Sequence, residues 1–130
     1  MRERVAAIAA AAVAGVALGA SATAPAASGP HLSAKPNPVD FGQTLTIKGR
    51  GWPVIEFCKR RVRLSLQSAQ NSFVIGRPTI ADNGRFVRRW VPRKSHVSAG
   101  RWKLVARLRC ESGEDGSTNF VRRSVSVRIR

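Results

Sequence analysis

Few side chains in this sequence could do covalent or acid-base chemistry near neutral pH, and they are scattered. His31 and His96 are the only candidate bases of that kind. The first lies in an extended lead-in and the second in a Lys/Ser/Val loop, and neither has a nucleophile motif around it. Cys58 and Cys110 are the only cysteines and lack Cys-x-x-Cys spacing, so a redox-active pair has little support. No cluster supplies four ligand-type residues, which argues against a zinc site. Glu111, Glu114 and Asp115 crowd one turn but lack the regular oxygen spacing of a calcium loop, and are expected to be a solvated acidic turn. No glycine-rich loop opens a helix to cradle a nucleotide. The expectation is therefore a protein that is not an enzyme and has neither metal nor cofactor.

What the chain does offer is cationic charge. The 130 residues carry 23 Lys and Arg against 7 Asp and Glu, a formal net charge of +16. A GC-rich genome could account for part of the preference for Arg over Lys, but not for the scarcity of acids. Such a balance calls for an anionic partner or a solubility role.

The elements that must position these charges begin after a distinct N-terminus. Arg2 and Arg4 precede an apolar run from Val5 to Ala20, followed by small residues. This is the layout of a secretory signal peptide, assigned to residues 1–24 with cleavage between about 22 and 30. The run is shorter than the about 20 apolar positions a membrane span needs, so no span is expected after cleavage. Residues 25–30 read as a linker, and 31–130 as one domain. In an exported protein the two cysteines read as a disulfide.

Within the domain the apolar pattern has a period of two. His31 to Val39, with Pro36 and Pro38, suits an edge strand or a lead-in. Thr44 to Lys48 alternates as a half-buried strand and ends at Gly49-Arg50-Gly51-Trp52-Pro53. Cys58 to Gln67 turns Val62, Leu64 and Leu66 inward with Cys58. Phe73 to Ile80 suits a bent edge strand, and Asp82-Asn83-Gly84 is a hairpin signal. Arg85 to Val91 is a strand whose faces the pattern leaves unassigned. Gly100 to Cys110 turns Trp102, Leu104, Ala106 and Leu108 inward and Lys103, Arg107 and Arg109 outward. Phe120 to Ile129 turns Val125, Val127 and Ile129 inward, but Arg123 breaks the alternation, which a bulge near Arg122 would repair. No run has helical spacing. About seven short strands with frequent turns point to an all-β sandwich of two antiparallel sheets.

The chain also resembles the immunoglobulin-like modules common in exported bacterial proteins. The resemblance rests on Pro38, on Gly42-Gln43-Thr44-Leu45-Thr46-Ile47-Lys48-Gly49-Arg50-Gly51-Trp52, on Asp82-Asn83-Gly84-Arg85-Phe86, on Val91-Pro92, and on Gly100-Arg101-Trp102-Lys103-Leu104-Val105-Ala106. Trp102 stands where the family usually carries Tyr, and the chain has no Tyr, so a tyrosine-corner hydrogen bond is not available. More distantly the pattern is similar to neocarzinostatin-type chromoproteins, which have a second disulfide that is absent here.

The usual strand order of such modules implies that the third, sixth and seventh strands share a sheet, with Cys58 and Cys110 at one end of it. The outward residues Arg61, Arg63, Lys103, Arg107, Arg109, Arg128 and Arg130 then collect on one face, with Arg122 if the bulge falls as described. A face with these cations and no acid fits an anionic polymer of the cell envelope or extracellular space: teichoic acid, acidic glycan, anionic lipid headgroups or nucleic acid. Base-stacking aromatics do not interleave with these arginines, so sequence-specific nucleic-acid reading is not expected. The expected protein is a secreted or envelope-associated binding module. The alternative is a small-molecule carrier with a cleft lined by Trp52, Phe57 and Trp90.

Overall fold

The computed structural model describes residues 29–111 and 116–130. The signal-peptide assignment at 1–24, most of the linker, and Glu114 and Asp115 of the acidic turn lie outside the described residues. Seven strands form, in chain order β1 (His31–Lys35), β2 (Leu45–Arg50), β3 (Arg63–Gln67), β4 (Ser72–Gly76), β5 (Phe86–Trp90), β6 (Gly100–Glu111) and β7 (Thr118–Ile129). There is no helix among the described residues, hence none long and apolar enough to cross a membrane.

The strands build two antiparallel sheets, β1-β2-β5 and β4-β3-β6-β7. The expected all-β sandwich is thus observed, with the third, sixth and seventh strands adjacent. Alternation explains the core: Leu45 and Ile47 of β2 and Phe86 of β5 face Leu64 and Leu66 of β3, Leu104 and Leu108 of β6, and Val127 and Ile129 of β7. Each such side chain contributes about 1.5–3 kcal/mol on full burial. Val39 leaves the first sheet and bridges Ile129 in parallel, so the segment after β1 ties the two layers together.

Polar atoms of the buried aromatics are satisfied by backbone. The Trp52 indole donates to the His31 carbonyl at 3.1 Å, and the Trp102 indole to the Ser98 carbonyl at 3.0 Å. Trp102 packs edge-on against Phe73, and Trp52 against Phe86. Gly49 lies opposite Phe86, whose ring occupies the space a Cβ would take.

Cys58 and Cys110 form the expected disulfide, and their backbones make an antiparallel bridge at one end of the four-stranded sheet. Closing about 50 residues is worth on the order of 4 kcal/mol to a domain this small. The cross-link also implies folding in an oxidising compartment.

Four local expectations need correction. The Cys58 to Gln67 strand begins only at Arg63: Cys58 and Lys59 still follow β6, but Val62 bonds to Pro78. The Phe73 to Ile80 strand ends at Gly76, and Thr79 makes only an isolated bridge with Arg61. Asp82-Asn83-Gly84 does turn, with Gly84 at φ 80° and its N–H on the Ala81 carbonyl, yet the strands on either side of it lie in different sheets. Finally, β7 pairs with β6 without a break from Thr118 to Ile129, so there is no bulge at Arg122. Arg123 has inward parity but sits on an edge strand, and its guanidinium escapes sideways to the Pro30 and Arg122 carbonyls.

The two faces of β5 differ. Its register with β2 turns Phe86, Arg88 and Trp90 inward and Val87 and Arg89 outward. Arg88 is accommodated because Gly76 opposes it: a Cβ there would lie 2.5 Å from Nε, which instead donates to the Ile75 carbonyl at 3.2 Å and joins the two sheets.

Candidate anion-binding site

The outward face of the four-stranded sheet is ordered by its register. Arg63 lies opposite Arg107, and Arg107 opposite Arg122, so three arginines from β3, β6 and β7 form one row across the sheet. Opposite Cβ atoms in such pairs lie about 4.5–5.5 Å apart, and like charges there repel. No carboxylate among the described residues pairs with any of the three. Arg122 faces outward by simple alternation.

The row has a floor and one aromatic neighbour. Val105 points to this outer face yet is only 5% exposed, covered by what surrounds it. With Ser65, Gln67 and Val74 it lines a groove of about 200 Å³ that the three arginines flank. The Arg107 guanidinium carbon lies 4.6 Å from the centroid of Phe120, which is 48% exposed. That stack holds Arg107 in place with about 0.5–1 kcal/mol of cation–π attraction.

The other cations assigned to this face are divided between its ends. Lys103 and Arg128 lie on it, two strand rows from the arginine triplet or more. Arg109 pairs with Glu111 at 3.1 Å, so the expectation of a face with no acid is corrected: Glu111 has the same parity and neutralises its neighbour. Arg130 pairs with Asp40 at 2.8 Å, and Arg61 donates to the Arg77 carbonyl at 3.1 Å. The structure therefore gathers Arg63, Arg107 and Arg122, aligns Lys103 and Arg128 beyond them, and fastens Arg61, Arg109 and Arg130 at the ends.

Two residues of the face escaped the sequence reading. Arg101 lies directly opposite Arg128, and extending the β6 alternation by one position finds it. Phe120 occupies the position opposite Arg109 and supplies an aromatic among the arginines, where none was expected. Its outward parity becomes readable only once the bulge is discarded.

A second concavity of about 820 Å³ opens between β4, β5 and the loop before β6, lined by Phe73, Trp90, Trp102, Arg88, Lys94 and His96. Of the aromatics expected in a carrier cleft, only Trp90 is there. Trp52 is 2% exposed in the core, and Phe57 is exposed on the segment beside the disulfide. His31 is on β1 and His96 in the loop before β6. Among the described residues no group of three His, Cys, Asp or Glu could hold a metal ion.

No family model, curated protein or solved structure matches this chain.

Proposed function

We propose that the chain is a non-enzymatic, exported immunoglobulin-like module that binds an anionic polymer of the cell envelope or extracellular space. The observation that carries this reading is the in-register row Arg63, Arg107 and Arg122, which has no carboxylate partner among the described residues. Like charges are held side by side at a cost, and an anion lying along the row removes it. Guanidinium forks suit phosphate, sulfate or carboxylate oxygens, and each contact releases a condensed counterion. The disulfide fits an extracellular site of action.

Retention of the purified protein on a teichoic-acid matrix, beside Arg63→Glu/Arg107→Glu/Arg122→Glu, tests the reading. Elution at much lower salt for the variant, with folding intact by circular dichroism, supports it. Equal retention of the two proteins rejects it.

The cleft lined by Phe73, Trp90 and Trp102 favours a second reading, a small-molecule carrier. Saturable quenching of Trp fluorescence by secreted metabolites, lost in Trp90→Ala, would bring that reading forward.

A further inference from the structure

The outward face of the opposite sheet is also cationic, and by the same kind of alignment. Across β1, β2 and β5 the register sets Lys35 opposite Thr46 and Thr46 opposite Arg89. The next row sets Ser33 opposite Lys48 and Lys48 opposite Val87. Lys35, Lys48 and Arg89 are exposed and, with the hydroxyls of Ser33, Thr44 and Thr46, line a shallow groove of about 840 Å³. None of the carboxylates of the described residues lines it. Asp40, Asp82 and Glu111 are bound to Arg130, Arg60 and Arg109, and Glu56 lies in the loop before β3.

The two sheets of a sandwich lie back to back, about 10 Å apart, so their outer faces look in opposite directions. A single extended strand of polymer lying on one face cannot also lie on the other. We propose that the molecule is bivalent: the Arg63-Arg107-Arg122 face holds one strand of a phosphate-bearing polymer, and the Lys35-Lys48-Arg89 face holds a second strand, so that the protein cross-bridges them. This rests on the polymer-binding reading of the first face and extends it to the second. The faces are chemically unequal. Three arginines in one row can grip phosphate through planar forks, whereas the second groove offers two ammonium groups, one guanidinium and a set of hydroxyls, a looser field with Arg50 beyond it at the end of β2. The second face therefore engages mainly once the first has brought polymer to high local concentration.

Linear inorganic polyphosphate serves as the probe. Titrated into the purified protein at low ionic strength, it produces light scattering that rises to a maximum and falls again when excess polymer gives each face a separate strand. Lys35→Ser/Lys48→Ser/Arg89→Ser loses roughly tenfold in peak scattering but stays on a polyphosphate column within about twofold of the wild-type elution salt. Arg77→Ser/Arg93→Ser/Lys94→Ser, in segments outside the strands, takes away the same amount of charge without touching either face and scatters like the wild type. Wild-type scattering from the second-face variant, or an equal loss in the control, overturns the bridge while leaving the first face intact. Sedimentation without polymer shows monomer, and self-association there would overturn the bridge as the source of scattering. Unchanged column retention of Arg63→Ser/Arg107→Ser/Arg122→Ser would instead bring down the binding reading on which the bridge rests.

Discussion

Arg107 and Arg109 sit two positions apart on β6 and face the same way, yet their surroundings differ. Arg109 has Glu111 beside it on the same strand and the disulfide at the next residue, and its carbonyl accepts from Lys59. Arg107 has an arginine on each side and an aromatic ring beneath it. The same division runs across the molecule. Arg60 and Arg130 also take carboxylates near chain turns, while the central row takes none among the described residues. Three of the four acids among the described residues thus pair with arginines at the periphery, and the centre of the face has no carboxylate partner among them. A soluble surface optimised only for stability would intersperse the two signs. The difference separates arginines with a carboxylate partner from arginines with none among the described residues.

Substitutions at the two kinds of arginine environment test this contrast. The largest expected effect is at the fastened end. Cys58→Ala/Cys110→Ala costs about 4 kcal/mol, seen as a lower urea midpoint. Protein that remains folded should bind polymer as the wild type does, because the β3-β6 register, and not the disulfide, aligns Arg63 with Arg107. Weaker binding by the folded variant would show that the two regions are not separable.

Next comes Phe120→Ala, which removes the ring beneath Arg107. It should destabilise by no more than about 0.5–1 kcal/mol while lowering the salt needed for elution, as measured by thermal melting and retention. At the periphery, Asp40→Asn breaks the pair with Arg130. Both side chains are more than half exposed, so the loss should stay below about 0.5 kcal/mol, with retention unchanged. The smallest effect carries the most telling sign. Arg122→Gln relieves repulsion in the central row and should stabilise by a few tenths of a kcal/mol in low salt, a gain that added salt screens out. A loss of stability at low salt would mean that Arg122 makes a net favourable contribution to the fold and that the row carries no repulsion.

Much of the framework was readable from alternation. Val125, Val127 and Ile129 marked β7, Trp102 to Leu108 marked β6, and the pairing of Cys58 with Cys110 was expected from two cysteines in a chain read as exported. The misreadings share a physical cause: a linear pattern does not reveal what lies opposite a residue. Arg123 looked like a defect because inward parity ordinarily means burial, but on an edge strand a long side chain can leave sideways. Arg88 left β5 ambiguous because its room is made by Gly76, on a strand of the other sheet. The turn at Asp82-Asn83-Gly84 is written in local chemistry, whereas the sheet it delivers the chain to is not. For the candidate site, parity gave the outward face of Arg63 and Arg107, but register was needed to align them with Arg122 and to set Glu111 against Arg109.

The most direct test of the division is the salt dependence of polymer affinity for three proteins: the wild type, Arg63→Ser/Arg107→Ser/Arg122→Ser, and the charge-matched Arg60→Ser/Arg109→Ser/Arg130→Ser. Three lost phosphate contacts should make the negative slope of log affinity against log salt shallower by about 2 in the central variant. The peripheral variant, whose arginines already have carboxylates, should keep the wild-type slope. An equal loss of steepness in both variants would mean that charge acts through its sum and not through the row that the β3-β6-β7 register builds.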